Sequence, residues 1–589
     1  MARPDPHSCF DDAQPRAHQL EVDLRVDFAT RRLVGRVRCG FDRPASGRVD
    51  FDTRGLRIGS VTDAAGAAIP FTLHPEEPIL GQRLEIAAPP GCETITIEYE
   101  TSPEASGLQW LEPAQTEGRT HPFLFSQCQA IHARSLLPCQ DCPRARINYR
   151  AALTVPEPLV AVMAAASRGE RAVPAGWRTF LFEMPQPIPP YLFALAAGDL
   201  ASRDVGPRSR VWAEPACVEA AAWEFADLET VMLQAEKLFG SYEWERFDLL
   251  VLPPSFPYGG MENPRLTFLT PTLLAGDRSL VDVVVHELAH AWTGNLVTNA
   301  DQEHFWLNEG ATVWAERRIL EALHGPEAAA LSWAVNQASL DASLARFGTG
   351  SPLTRLRTTL RGVDPDDAFS SIPYEKGARF LQCIEQDVGR ARFDAFMRAY
   401  MRRFRFTSIT TEEFVEFLQA ELPGAAARVD AKAWLYETGM PAQAPTLHRS
   451  ARLDAVAARA GAWSAGQRPD AATIAAWNPT EMLLFLQHLP RPLPASDCAW
   501  LVEHLAPERR NAEIQVEWFT IAARSDYEPA LPALRAFLLR VGRLKYLRPL
   551  YTALAASPRL HRFALDVFGA AQSSYHGTAR RMVAAIFDR

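Results

Sequence analysis

The sequence has no long uninterrupted apolar run. No segment of its 589 residues reaches the roughly 18 consecutive apolar residues of a membrane-spanning helix. The N-terminal stretch also lacks the basic start and apolar core of a secretory signal peptide. We therefore expect neither a membrane partner nor a secreted protein.

An excess of positive charge is also missing. The formal net charge is -9 and the sequence pI is about 5.9. Nucleic-acid binding needs a basic face, so we do not expect a nucleic-acid partner. Hydrophobic residues make up 47% and charged residues 22% of the chain, which is typical of a globular protein.

Cysteine is scarce, with nine residues scattered over the chain. An odd, dispersed set fits reduced thiols better than a disulfide framework, and it favours a cytoplasmic location. Cys139 and Cys142 form one CxxC pair, which elsewhere can be redox-active or half of a zinc site. Because no second CxxC or histidine pair lies nearby, we interpret both as ordinary thiols in a turn.

The chain is too long for a single hydrophobic core, so several domains are expected. The spacing of its apolar residues changes three times along the sequence. Period-two alternation predicts antiparallel sheets first; mixed helix and strand follow, then a proline-rich linker, then helical periodicity alone. We predict an α+β multidomain protein with an N-terminal β domain (1–201), a mixed helix-and-strand domain (202–440), a linker (441–454) and a C-terminal all-α domain (455–589).

Local signals sharpen this prediction. Alternating residues indicate strands over 20–28, 95–99 and 147–155. Helical spacing between Pro215 and Gly240 indicates one helix there. Asn478 followed by Pro479 is typical of a helix start, as a cap and a first helical residue.

The stretch "VDVVVHELAHAWTGN", residues 281–295, places ionisable groups in an apolar segment. Ser279 and Asp282 resemble a capping box, so we expect a helix. In a helix, His286 and His290 share a face and can present two imidazoles to one zinc ion. Zinc in catalytic sites takes three protein ligands and keeps one position for water.

A third ligand follows after eighteen intervening residues. Glu309 lies in "HFWLNEGATVWAERR", which we expect to be helical. Glu316, seven residues further, falls on the same helical face. Glu316 either orients a ligand from behind or forms a surface salt bridge, and the sequence leaves both open.

These motifs together resemble a known family. HExxH, eighteen residues and Glu in "WLNEG", with "GGMEN" upstream, are similar to the gluzincin zinc aminopeptidases. Longer strings such as "HAWTGNLVTN" and "SSIPYEKG" resemble the branch containing leukotriene A4 hydrolase and aminopeptidase B. The resemblance runs from about residue 126 to 542. It implies a saddle-shaped β domain, a thermolysin-like catalytic domain, a C-terminal helical superhelix of the armadillo or HEAT kind, and one zinc ion per chain.

The resemblance implies a mechanism. Zinc held by His286, His290 and Glu309 would activate a water molecule. Glu287, one residue off the ligand face, is placed to take the water's proton and pass it to the leaving amine. Tyr374 in "SSIPYEKG" would, by resemblance, stabilise the oxyanion.

The string "GGMEN" indicates selectivity for chain ends. Two glycines allow a substrate backbone to approach closely, in the manner of an added strand. Glu262 can pair with a free α-ammonium group, and leaving it unpaired would disfavour internal bonds. The substrate-binding set implied here is Gln129, Tyr258, Gly259, Gly260, Met261 and Glu262.

Three further residues concern the rest of the substrate. Asp366 matches a family residue of the first side-chain pocket, where a carboxylate favours an N-terminal arginine. Arg543 and Lys545 match residues that bind a short peptide's far carboxylate; the alternative is solvated surface charges. Residues two apart face opposite ways on a helix, so both reach one site only at a helix start or a turn, which Gly542 permits.

We therefore predict a zinc aminopeptidase acting on short peptides, above all tripeptides, with basic N-terminal residues accepted and no oligomer required. One alternative is a second, leukotriene A4 hydrolase-like activity on lipid epoxides, in which Asp366 would act. Phe369 and Gln302 replace a tyrosine and a tryptophan of that relative, which disfavours the lipid reaction. The other alternative is a scaffold protein that has lost its chemistry.

Overall fold

The computed structural model describes residues 5–442, 444 and 450–588. Residues 443 and 445–449 of the predicted linker lie outside the described residues. The predicted domain boundaries stay a prediction. Among the described residues, no helix combines the length and apolar character that a membrane crossing requires.

The N-terminal region is made of strands. They are β1 (Ala17–Asp27), β2 (Arg32–Thr53), β3 (Arg57–Asp63), β4 (Phe71–Leu73), β5 (Gln82–Glu100), β6 (Leu108–Leu111), β7 (Phe123–Ser126), β8 (Ile147–Pro156), β9 (Val160–Met163), β10 (Ala166–Arg171), β11 (Trp177–Ile188) and β12 (Leu195–Gly198).

The strands of this region form two sheets. The larger has the order β10-β11-β8-β1-β2-β5-β3, with β4 beside β5, and the smaller has the order β6-β7-β12-β9. The three strands predicted from alternation are confirmed within β1, β5 and β8. The expectation of purely antiparallel sheets was wrong, because β8 runs parallel to β1, Gln19 opposite Asn148. The chain between them is long enough to cross over.

The second region mixes helices and strands. Its strands are β13 (Ala201–Gly206), β14 (Ser209–Ala213), β15 (Asp248–Val251), β16 (Gly260–Met261), β17 (Leu266–Leu269), β18 (Val297–Asn299) and β19 (Thr407–Ile409). Its helices are α1 (Val218–Glu224), α2 (Leu228–Phe239), α3 (Asp282–Ala289), α4 (Trp306–His324), α5 (Pro326–Val335), α6 (Gln337–Phe347), α7 (Pro365–Ala368), α8 (Ile372–Val388), α9 (Arg390–Arg403), α10 (Thr411–Glu421), α11 (Ala425–Arg428) and α12 (Ala431–Tyr436).

One sheet of this region has the order β13-β14-β15-β17-β16. The short strand β16 is therefore an edge strand, and only one of its sides is paired. The single helix predicted between Pro215 and Gly240 was wrong: Phe225 ends α1 with φ -104° and ψ 19°, and α2 begins after Asp227. Gly240 ends α2, as predicted.

The C-terminal region is helical. Its helices are α13 (Ala451–Gly461), α14 (Ala471–Ala476), α15 (Pro479–His488), α16 (Ala495–Leu505), α17 (Ala512–Arg524), α18 (Leu531–Arg540), α19 (Leu544–Ala556), α20 (His561–Ala571) and α21 (Gly577–Phe587). Asn478 caps α15 through a capping box with Glu481, which confirms the predicted start.

Three contacts hold the helical region against the catalytic region. Gly542 N–H donates to the Pro254 carbonyl at 2.9 Å, and Leu544 N–H donates to the Pro257 carbonyl at 2.7 Å. Asn511 Nδ2 donates to Ser279 Oγ at 2.8 Å. The first two bonds fix the segment leading into β16 against the start of α19.

Candidate active site

The two histidines come from the end of α3. His286 lies in its last turn, and His290 follows directly as the residue that ends the helix. The predicted capping box is wrong, because α3 begins after Val281 without a side-chain cap. Ser279 instead receives the hydrogen bond from Asn511 described above.

Helix α4 brings the carboxylate to the histidines. Glu309 Oε2 lies 3.4 Å from both His286 Nε2 and His290 Nε2. The two Nε2 atoms are 3.2 Å apart. Three residues from two helices thus direct one ligand atom each at a common point, as the spacing predicted.

The outer nitrogen of each imidazole has a partner. His286 Nδ1 lies 2.9 Å from Glu316 Oε2, and His290 Nδ1 lies 3.1 Å from the Thr293 carbonyl. These acceptors indicate that both Nδ1 atoms carry the proton. Both Nε2 lone pairs consequently face the common point. Thr312 Oγ1, which donates to the Thr293 carbonyl at 2.6 Å, holds that turn in place.

This arrangement fits a zinc ion. Two lone pairs facing each other at 3.2 Å repel, and Glu309 Oε2 is buried without a hydrogen-bond partner among the described residues. A cation at the common point would satisfy all three atoms. Two neutral imidazoles with one carboxylate are a zinc donor set that leaves a position for water.

Glu287 lies beside this point and is buried. A Cβ added to Gly260 would lie 2.3 Å from Glu287 Oε1, so only glycine fits there. The edge strand β16 therefore passes directly over the carboxylate. Burial raises the pKa of the Glu287 carboxyl to about 7, close to the range in which a proton-transfer group works best.

Tyr374, in the first turn of α8, donates its hydroxyl to Glu309 Oε1 at 2.9 Å. Its ring is stacked on His286 with centroids 6.2 Å apart. Burial raises the pKa of the Tyr374 phenol well above its usual value, so the group remains a hydrogen-bond donor. The structure thus places the predicted oxyanion donor against the predicted metal ligands.

Glu262 is a further buried carboxylate beside Glu287 and His290. Its carboxylate Oε1 accepts a hydrogen bond from Gln129 Nε2 at 3.1 Å, and Asn295 Nδ2 donates to its backbone carbonyl at 2.7 Å. Burial raises the pKa of the Glu262 carboxyl. The Asn308 side chain also hydrogen-bonds this carboxylate. A buried carboxylate whose partners are neutral amides can still pair with a charged ligand. Gln129 comes from the N-terminal region, and its role in substrate binding stays a prediction.

Arg543 and Lys545 meet at the start of α19. Arg543 is the residue before this helix, which confirms the predicted helix start. Lys545 Nζ lies 2.8 Å from Glu513 Oε1, and Arg543 Nη1 donates to Tyr546 Oη at 2.7 Å. Arg543 Nε is buried without a partner among the described residues.

A cavity extends from Gln129 and Tyr258 past Asp366 and Phe369. Asp366 Oδ2 lies 3.1 Å from His132 Nε2. Burial opposes the charge of Asp366, but His132 and Arg581 hold the pKa of this carboxyl below its usual value. The resemblance placed Asp366 in such a pocket.

Sequence reasoning missed several supporting residues. Thr293 and Thr312 hold His290, His132 pairs with Asp366, and Glu513 binds Lys545. His132 lies in "SQCQAIHARS", so its motif was visible, but its partner is 234 residues away. Cys139 and Cys142, of the CxxC pair, are both buried.

Two imidazoles, a carboxylate and a buried glutamate beside them define a metallohydrolase site. Three family models match the chain: the Peptidase M1 N-terminal domain at 14–192, the Peptidase family M1 domain at 224–434, and the leukotriene A4 hydrolase C-terminal domain at 477–587.

Full-length relatives agree with these models. Leukotriene A-4 hydrolase of Xenopus laevis is 38% identical, over 98% of each chain. Leucine aminopeptidase 2-1 of Meyerozyma guilliermondii is 38% identical, over 97% of this chain and 95% of its own. The structure of yeast LTA4 hydrolase in complex with bestatin matches with a TM-score of 0.92 at 33% identity, covering 100% of this chain and 98% of the other.

The chain therefore belongs to peptidase family M1, in the group with the leukotriene A4 hydrolase C-terminal domain. It is a zinc-dependent hydrolase of the aminopeptidase class, with one catalytic zinc ion. The predicted family, fold class, enzyme class and cofactor are confirmed.

Proposed function

We propose that this enzyme removes the N-terminal residue of short peptides, with tripeptides preferred. The observation that carries the proposal is the position of Glu262. Its buried carboxylate lies on the segment that forms the edge strand, two residues after Gly260, which passes over Glu287. A peptide whose free ammonium pairs with Glu262 brings its first peptide bond to Glu287.

His286, His290 and Glu309 would hold the zinc ion. When bound, zinc acidifies water and polarises the scissile carbonyl. Glu287 takes the proton of the attacking water and delivers it to the nitrogen of the departing amine. Tyr374 donates its hydroxyl to the carbonyl oxygen as negative charge develops there. Glu316 fixes the orientation of the His286 imidazole.

The substrate's ends are bound separately. Glu262 and Gln129 hold the α-ammonium group, and the backbone of Tyr258 to Met261 pairs with the substrate as an added strand. Arg543 and Lys545 hold the carboxylate at the other end. Buried Arg543 Nε, which has no partner among the described residues, is a free donor for this carboxylate.

A comparison of two substrates, combined with removal of the metal, tests the proposal. The zinc-loaded enzyme should cleave a free tripeptide and lose this activity when a chelator removes the metal. It should refuse the same tripeptide when its amine is acetylated, because acetylation removes the charge and leaves Glu262 unpaired. Equal cleavage of the free and acetylated peptides would contradict the proposal.

Peptides are favoured over lipid epoxides by the cavity itself. Gln302 lies in its wall, at a position where the family resemblance implies a tryptophan. A polar amide there disfavours an apolar chain. We further propose a cytoplasmic location, on the basis of the cysteine pattern.

A further inference from the structure

The inner end of the cavity contains polar side chains that have no role in the proposed cleavage of the peptide bond. Most of its wall is apolar, from Phe305, Leu353, Leu356 and Leu360. Gln302 and Arg355 also line it.

Neither polar side chain has a partner among the described residues. Gln302 is only 7% exposed, and its amide makes no hydrogen bond there. Arg355 forms no ion pair within the described part of the chain, and its Nε is buried without a hydrogen bond. Arg355 as a whole is half-buried, and its Nε is the one donor of these two side chains that is fully buried without a partner among the described residues. A buried donor is costly to leave unpaired, so this position is suited to a ligand that is not part of the fold.

The two residues lie at the end away from the catalytic tyrosine. The ring of Phe305 packs against Tyr374 with centroids 6.1 Å apart. Gln302 precedes Phe305 by one turn, so it lies about 5 Å further along. Its neighbour Glu303 accepts Thr358 N–H at 3.1 Å, which brings the segment containing Arg355 to the same end.

The two charged side chains that line the cavity differ in whether an opposite charge lies beside them. Asp366 has His132 at 3.1 Å, so its carboxylate is already paired. Arg355 makes no ion pair with a carboxylate of the described residues, and its Nε has no hydrogen-bond partner among them. The charge left uncompensated in the cavity is consequently positive, and its natural complement is an anionic oxygen.

We propose that Gln302 and Arg355 bind an acceptor oxygen at the end of the substrate's first side chain, most strongly the carboxylate of an N-terminal glutamate. This inference rests on the proposed function, because it assumes that the cavity receives the side chain of the residue that is removed. It adds a second, oppositely charged specificity element to that of Asp366.

The test compares the tripeptides Glu-Ala-Ala, Gln-Ala-Ala and Met-Ala-Ala, whose first side chains have similar length. The variants are Arg355→Met and Gln302→Met, which keep side-chain length and remove the donors. The ratio of kcat/KM for Glu-Ala-Ala to that for Met-Ala-Ala should fall roughly ten- to a hundredfold in Arg355→Met. In Gln302→Met, the ratio of Gln-Ala-Ala to Met-Ala-Ala should fall by about threefold or more.

Arg361→Met is the matched control. Arg361 is exposed on the same segment, so this variant removes an equal charge outside the cavity and should leave both ratios unchanged. A thermal unfolding midpoint equal to that of the wild type shows that a variant is folded. Ratios in both cavity variants within twofold of the wild type would overturn the inference. Failure of the wild type to cleave any of the three peptides would instead overturn the proposed function.

Discussion

The guanidinium of Arg543 lies directly against the backbone of Gly259. A Cβ added to Gly259 would be 2.5 Å from Arg543 Nη2. This contact joins the start of α19 to the segment that leads into the edge strand β16. The helical region thus places a cation beside the segment that we propose binds the substrate backbone.

Gly259→Ala should therefore act largely through Arg543. The methyl group would displace the guanidinium, and kcat/KM for a tripeptide should fall about tenfold or more. Because both changes affect the same contact, Gly259→Ala combined with Arg543→Ala should cost little more than Arg543→Ala alone. Fully additive losses in kcat/KM would show that the two residues act independently.

Arg543→Ala should distinguish substrates by their far end. A charge-assisted hydrogen bond contributes about 1.5 to 3 kcal/mol, so a tripeptide should lose roughly ten- to a hundredfold in kcat/KM. An amino-acid anilide, which has no carboxylate, should lose little. Arg540→Ala removes an exposed charge three residues earlier and is the control. Equal losses for both substrates in Arg543→Ala would mean that Arg543 supports the fold only.

Asp366→Asn should lower the preference for N-terminal arginine. A guanidinium can meet the carboxylate with two hydrogen bonds, whereas alanine cannot. The arginine-to-alanine ratio of kcat/KM should fall about tenfold. This variant leaves Gln302 and Arg355 in place, so it separates the two specificity elements. An unchanged ratio would show that Asp366 does not contact the first side chain of the substrate.

Lys376 should make stability depend on pH. Its ammonium donates to the Thr354 and Glu437 carbonyls at 2.9 and 3.1 Å, and burial lowers the pKa of Lys376 from 10.5 to about 8. Between these values the unfolded chain binds the proton and the folded chain does not, so stability rises with pH.

The comparison with Lys376→Met isolates this effect. The free energy of unfolding of the wild type, minus that of the variant, should rise by up to about 3 kcal/mol from pH 8 to 10.5. Denaturant unfolding at several pH values measures it. A difference that stays constant would contradict a lowered pKa in the folded state.

The catalytic groups were predictable because their spacing is local. His286 and His290 lie one helical turn apart, and Glu309 lies on the next long helix, so pattern alone brings them together. Gly542 likewise indicated that Arg543 precedes a helix. The family resemblance supplied Tyr374 and Gln129, for which spacing gives no signal.

The supporting contacts were not predictable because they are long-range. Asn511 holds Ser279 across 232 residues, and His132 holds Asp366 across 234. The failed capping box shows the consequence: the local pattern is present, but the Ser279 hydroxyl accepts a tertiary hydrogen bond from Asn511. The break between α1 and α2 was not predictable either, because neither a proline nor a change of charge marks it in the sequence.

The central claim is that Glu287 transfers the proton at a zinc site built by its neighbours. Glu287→Gln keeps the shape of the side chain and leaves His286, His290 and Glu309 intact. The measurement is zinc content together with tripeptide turnover for this variant. We predict one zinc ion per chain, as in the wild type, with turnover reduced roughly 10² to 10⁴-fold. Full zinc content with undiminished turnover would contradict the account.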